Sequence, residues 1–253
     1  MGVRLSANGY DGMLRRLKEE RVRLGYSQSA IGSLIGIREC DYNKSENGYR
    51  RISFAELMHL YEHGINVNYV VTGNGLKRED LIRLSGIDYD TSVGCYLTAC
   101  SAVLTHRKMI SGKDWETVNP MLEAGILYQA GLKDVNCWKI IKEIHGISQP
   151  AFAQELGVEL KTLRNIEYGR KSPDSEILHK LYSYCRLSPA YFLRDPLGIL
   201  GETELMLNHM GKRPADVALK TIFYLTGEVH EEDFDPRRQS GLCPQGRGNN
   251  PRP

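Results

Sequence analysis

The chain has 253 residues and a formal net charge of +2, from 33 Lys and Arg against 31 Asp and Glu. This length allows two domains and connecting material, and the nearly neutral balance excludes a generally basic surface. Any basic patch must therefore come from the placement of side chains. No Gly-rich phosphate loop, Ser/His/Asp set or recognisable acid pair is present, and His59 and His63 lack a third metal ligand nearby. We therefore expect neither an enzyme nor a cofactor or metal site.

The six cysteines form no CxxC pair and show no spacing typical of zinc ligands. They predict reduced thiols, with disulfides as the less favoured alternative. The sequence shows no signal peptide and no apolar run long enough to span a bilayer. We therefore expect a soluble cytoplasmic protein without membrane partners.

In chain order, residues 1–10 are expected to form a short flexible lead-in, and residues 11–75 to form a first structured unit (unit one). Residues 76–135 contain apolar positions at helical spacing in Thr91–Arg107 and Asp114–Gln129. This segment is too apolar for a flexible tether. It predicts a helical connector that packs on one or both neighbouring units and sets their separation.

Residues 136–195 predict a second structured unit (unit two). Two more helices are predicted after it, Glu202–Met210 and Pro214–Leu225, within residues 196–227. Residues 228–253 hold an acidic patch and then a Gly, Pro, Arg and Asn tail with almost no apolar content. Such a composition predicts disorder.

One pattern occurs in both units, 121 residues apart. It spans Gly25–Arg51 and Gly146–Ser172, which align without a gap. The identical positions include Ser27/Ser148, Gln28/Gln149, Ala30/Ala151, Gly36/Gly157, Glu46/Glu167 and Gly48/Gly169. Three further positions are apolar in both copies: Ile31/Phe152, Ile35/Leu156 and Ile37/Val158. So many matches in register indicate a duplicated element.

Local chemistry predicts how each copy folds. Ser27 and Ser148 are N-cap residues, so a helix should begin at Gln28 and at Gln149, where the following Pro150 suits a first helical turn. Glycines then end this helix and the next, because a left-handed backbone is easy only for glycine. The second helices are predicted over Arg38–Glu46 and Glu159–Glu167. Later helices are predicted over Phe54–His63, Ser175–Tyr184, 65–71 and 187–193, which makes five helices around one core in each unit.

Both copies resemble the Cro/C1-type helix-turn-helix, also called the XRE family. That signature runs SQ, a small and an apolar residue, Gly with an aliphatic residue, and E-x-G. The resemblance covers Asp11–Gly75 and Asn136–Asp195, about half of the chain. It implies an all-α fold with two lambda-repressor-like five-helix domains joined by the helical connector. It also implies a structural pair between a basic residue on the first helix and the glutamate that closes the second: Arg21 with Glu46, and Lys142 with Glu167.

The resemblance further implies which residues meet DNA, because the second helix of the motif enters the major groove. In unit two, Gln149 is expected at a phosphate, Lys161, Thr162, Arg164 and Asn165 at base edges, and Leu160 at a thymine methyl. Arg170 and Lys171 follow where the chain should pass the DNA backbone. In unit one the corresponding residues are Gln28 at a phosphate, Arg38, Glu39, Cys40, Asp41 and Lys44 on the reading face, and Arg50 and Arg51 at the backbone.

Unit one departs from the expected pattern at Glu39 and Asp41, since carboxylates near phosphates are repelled unless each accepts from a cytosine amino group. Two functions therefore stay open. The first is a sequence-specific double-stranded DNA-binding regulator, a repressor of phage, mobile-element or bacterial origin, acting as a pseudo-dimer or as a homodimer. The alternative is a protein-binding module, such as an antitoxin or inhibitor, with a protein partner at unit one.

Overall fold

The computed structural model describes residues 10–228, and all regular secondary structure in that range is helical. This confirms the all-α fold class. The lead-in at residues 1–9 and the tail from residue 229 onward lie outside the described residues. None of the helices between residues 10 and 228 combines the length and the apolar character needed to cross a bilayer.

Unit one contains five helices. They are α1 (Tyr10–Arg23), α2 (Gln28–Leu34), α3 (Glu39–Glu46), α4 (Phe54–Glu62) and α5 (Val67–Thr72). The caps are those that the sequence predicts, since the Ser27 hydroxyl accepts the Ala30 N–H at 3.0 Å. Gly36 ends α2 with a φ of +75°, in the left-handed region. The second helix begins at Glu39, one residue later than predicted.

Residues 76–135 form a helical connector. It contains α6 (Glu79–Ile82), α7 (Tyr89–Thr105) and α8 (Gly112–Gly131), with short 3-10 turns at Arg83–Gly86 and Arg107–Met109. Helices α7 and α8 cross closely at Gly125, where an added Cβ would lie 2.9 Å from the Cys100 sulfur. The two long helices confirm the predicted helical pattern: α7 begins and ends two residues earlier than predicted, and α8 extends two residues further at each end.

Unit two repeats the five-helix order, and two C-terminal helices follow it. The unit consists of α9 (Cys137–His145), α10 (Gln149–Glu155), α11 (Leu160–Glu167), α12 (Ser175–Cys185) and α13 (Pro189–Leu193). The last two helices are α14 (Pro196–Asn208) and α15 (Lys212–Leu225). Helix α14 begins six residues before the predicted Glu202, because Asp195 caps it by accepting the Leu197 N–H at 3.1 Å.

The buried side chains form two hydrophobic clusters. The smaller contains the apolar residues of unit one together with Leu178 and Leu193 from unit two. The larger joins the connector, most of unit two, α14 and α15, with α7 packed against α14 and α15. The connector is thus part of a core, and the two units also touch directly. Tyr10, which the sequence places in the lead-in, begins α1 and is buried, with its hydroxyl 3.1 Å from the Ser175 hydroxyl.

Candidate nucleic-acid interface

In unit one a buried ion pair ties α3 to the rest of the motif. Arg21 Nε donates to Glu46 Oε1 at 2.7 Å, and the side chains are 10% and 3% exposed. Gln28 Nε2 donates to Glu46 Oε2 at 2.5 Å, and Asn43 Nδ2 donates to Gln28 Oε1 at 2.9 Å. These bonds link α1, α2 and α3, so the position of α3 is set by polar contacts as well as by packing.

The same network recurs in unit two with every position shifted by 121. Lys142 Nζ donates to Glu167 Oε1 at 2.7 Å, and Gln149 Nε2 donates to Glu167 Oε2. Arg164 Nε donates to Gln149 Oε1 at 3.2 Å. Both family-implied pairs are therefore present, and α11 is tied to α9 and α10 as α3 is to α1 and α2.

Gln28 and Gln149 hold the centre of these networks. Each carboxamide donates one N–H to the glutamate, and its oxygen accepts from a side chain on α3 or α11. A carboxamide nitrogen carries two N–H donors, so one remains for a further acceptor. The side chain is thereby oriented before any ligand arrives.

The predicted reading face of α11 is accessible. Lys161 and Arg164 are exposed, and Leu160, Thr162 and Asn165 are half-buried. Only Leu163 and Ile166 on this helix are buried, because they face the core. Among the described residues, no acidic side chain lies within ion-pair distance of Lys161 or Arg164. The outer face of α11 therefore presents the exposed cations Lys161 and Arg164 beside the half-buried Thr162 and Asn165.

The chain that leaves α11 adds more positive charge. Arg170 and Lys171 are exposed, and the Arg170 guanidinium lies 5.4 Å from the centre of the Tyr168 ring. Tyr168 itself is 71% exposed. Sequence reasoning missed this tyrosine; the available signal was an aromatic residue between the glutamate that closes the helix and a terminating glycine.

On α3 the cations are neutralised locally. Arg38 Nη2 lies 2.9 Å from Asp41 Oδ2, and Lys44 Nζ lies 3.2 Å from Asp41 Oδ1. The hydrogen bond from Arg38 lowers the pKa of the Asp41 carboxyl, and that from Lys44 acts in the same direction. Glu39 and Cys40 are exposed beside this group. The α3 face thus offers two cations against two carboxylates, unlike the α11 face.

Arg50 and Arg51 are committed to intramolecular contacts. Arg50 Nη1 donates to Glu56 Oε2 at 3.0 Å, and its second terminal nitrogen contacts the other carboxylate oxygen. Arg51 Nε lies 2.5 Å from Glu176 Oε2 in unit two. The structure therefore places Arg51 between the units and not at a free DNA-facing edge, because acidic partners on α12 attract it. Sequence spacing could not reveal partners more than 120 positions away.

Comparison of the chain with models of protein families, with curated proteins and with solved structures found no match. What the chain does is therefore argued from the geometry of α3 and α11 and from the sequence resemblance.

Proposed function

We propose that the protein is a sequence-specific double-stranded DNA-binding regulator in which α11 enters the major groove. The observation that carries this proposal is the accessible, unneutralised face of α11. The major groove admits an α-helix and displays a distinct donor and acceptor pattern for each base pair. Lys161 and Arg164 suit the acceptors of guanine, and Asn165 suits adenine.

The residues after α11 suit the DNA backbone. Arg170 and Lys171 supply exposed cations, and contacts to phosphate set register without reading bases. Gln149 supplies the remaining amide N–H at the start of α10. Together these groups would hold α11 at a defined depth in the groove.

The biological role follows from the family resemblance. A regulator of this type occupies an operator and excludes transcription from the neighbouring promoter, as expected for a repressor of phage, mobile-element or bacterial origin. Such a role needs no catalysis and no cofactor, and it agrees with a cytoplasmic location.

Unit one supports a second candidate function, a protein-binding site. The pairing of Asp41 with both cations leaves α3 with little attraction for phosphate, while Glu39 and Cys40 remain exposed. A basic or polar partner protein is the alternative occupant that suits this face, if α3 does not read DNA. The two functions make different predictions for the accessibility of Cys40.

The direct test is selection of duplexes from a random pool by the full chain, followed by binding measurements on variants. Lys161→Ala or Asn165→Ala should relax preference at one base pair and weaken binding by about 1 to 3 kcal/mol. Arg170→Ala or Lys171→Ala should weaken all sequences alike and reduce the salt dependence. No preferred duplex, or equal behaviour of the two classes, would overturn the proposal.

The role of unit one is tested by alkylation of Cys40, mapped by mass spectrometry with and without the selected duplex. Protection by the duplex supports reading by α3. If the duplex leaves the alkylation of Cys40 unchanged, and the alkylated chain binds the duplex with full affinity, the result supports the protein-binding alternative for this unit. Cys95, which is buried, serves as the internal control that should stay unlabelled in both samples.

A further inference from the structure

Two hydrogen bonds between the units are reciprocal. Tyr61 of unit one donates from its hydroxyl to Asp195 Oδ1 of unit two at 3.3 Å. Asn74 of unit one donates from Nδ2 to the Tyr182 hydroxyl of unit two. Tyr61 and Tyr182 are separated by 121 positions, as are Asn74 and Asp195. Tyr61 of unit one therefore contacts Asp195 of unit two, and its counterpart Tyr182 of unit two contacts Asn74, the counterpart of Asp195 in unit one.

Packing between the units is reciprocal at one helix pair and only approximate elsewhere, since α12 packs against α5 while the corresponding α4 and α13 make few contacts. Helices α5 and α13 occupy corresponding positions in the two units, and they pack against each other. His179 Nδ1 of unit two lies 3.2 Å from the Val71 carbonyl oxygen of unit one.

These contacts distinguish two ways of arranging a tandem repeat. A head-to-tail arrangement places one surface of the first unit on a different surface of the second, so no contact is returned. A two-fold arrangement pairs the same surface with itself, so that residue i meets j and j meets i. The reciprocal bonds and the pairing of α5 with α13 indicate an approximate two-fold axis inside the chain.

The axis constrains the two recognition helices. A rotation leaves height along its axis unchanged, so α3 and α11 lie at the same level. The segments that follow them meet between the units, where the Ser175 N–H donates to the Ile52 carbonyl oxygen at 2.9 Å. Duplex DNA itself has two-fold axes perpendicular to its length, and two-fold protein pairs bind half-sites one helical turn apart.

We propose that a single chain binds one bipartite duplex site made of two inverted, unequal half-sites. This inference rests on the proposed function. Helix α11 reads the stronger half-site, and α3 reads the weaker one because Asp41 neutralises its two cations. Helices α5 and α13 pack on each other within one chain, so a single chain already supplies a two-fold pair of units.

The first experiment measures stoichiometry and spacing with the full chain and the selected duplex. Sedimentation or native mass spectrometry should find one chain per duplex, and a footprint should cover two half-sites. Insertion of about 5 base pairs between the half-sites, roughly half a helical turn, should reduce affinity to that of one half-site. Two chains per duplex, or an affinity unaffected by the insertion, would overturn the bipartite site while leaving DNA binding intact.

The second experiment assigns the half-sites by substitution. Lys161→Ala should relax base preference only in the stronger half, and Lys44→Ala only in the weaker half. Thermal melting of both variants, which alter exposed side chains, controls for folding. If Lys44→Ala changes neither half, unit one does not read DNA and the proposal fails. If no duplex is preferred by the unaltered chain, the proposed function itself fails, which is a separate outcome.

Discussion

Glu202 makes the stability of this protein depend on pH in a calculable way. The side chain lies on α14, is 1% exposed and contacts both units. Asn68 Nδ2 donates to Glu202 Oε1 at 3.1 Å, and the Tyr182 hydroxyl donates to Oε2 at the same distance. Burial raises the pKa of this carboxyl from 4.5 to about 7, against the smaller opposing effect of these hydrogen bonds.

The direction of the effect follows from the raised pKa. The folded chain holds the proton more tightly than the unfolded chain does, so the free energy of unfolding falls as pH rises from about 4.5 to about 7. The stabilisation from protonated Glu202 is fully present below about pH 4.5 and is lost as the pH rises above the pKa of about 7 in the folded chain. At about 1.4 kcal/mol for each pKa unit, the total loss is about 3 kcal/mol.

Glu202→Gln is neutral at every pH and should remove this dependence. Its amide lies beside Asn68, whose buried Oδ1 has no hydrogen-bond partner among the described residues. Urea unfolding from about pH 5 to about pH 8 measures the difference between the two proteins directly. The variant should match the unaltered chain near pH 5 and exceed it by about 2 to 3 kcal/mol near pH 8.

Glu204→Gln is the matched control, because Glu204 is also buried on α14 and accepts the Lys77 backbone N–H at 2.7 Å. This variant loses charge-assisted bonds but keeps Glu202, so it should retain the fall in stability between about pH 5 and about pH 7. A difference between the unaltered chain and Glu202→Gln that is constant over this range would refute the reasoning.

Three further predictions concern the free energy of unfolding, measured from denaturant midpoints. Arg21→Ala leaves Glu46 buried without its partner and should destabilise the fold by about 3 to 5 kcal/mol. Lys142→Ala should cost less, because its ion pair with Glu167 is more exposed. Equal losses in the two variants would contradict this reasoning. Gly36→Ala should destabilise the fold by about 1 to 2 kcal/mol, because the φ of Gly36 is +75°. Gly94 lies within α7 with open space around it, so Gly94→Ala should stabilise the fold by about 0.5 to 1 kcal/mol. Changes of the same sign in both variants would refute the backbone argument. Phe152→Ala empties a fully buried site and should destabilise by about 3 to 5 kcal/mol, and a loss under about 1 kcal/mol would show a loosely packed core.

Local features of the chain predict much of the candidate interface. Ser27 caps α2 and Gly36 ends it, and both effects act within a few residues. The predicted pair of Lys142 with Glu167 is present, because corresponding positions in one family-like pattern bring the same helices together. The accessible faces of α3 and α11 follow from the same helical spacing.

Other residues depend on partners that are distant in sequence. Arg51 is directed to Glu176 on α12, and its position near the recognition helix gives no sign of that. Arg38 differs from Arg51, because its partner Asp41 is only three positions away. The neutralisation of the α3 face could therefore have been deduced from the sequence spacing.

The sequence by itself therefore determined the helical class, the order of the five helices in each repeat, the caps and turns that shape α2, α3, α10 and α11, and the residues on their outer faces. These depend on hydrogen bonds and torsions within one or two helical turns. Only the tertiary structure decided how the units meet, with Tyr61 against Asp195, Tyr182 against Asn74, and Glu202 buried beside both. Such contacts join residues more than 100 positions apart, and neither a local pattern nor an aligned repeat predicts which face of one unit will cover which face of the other.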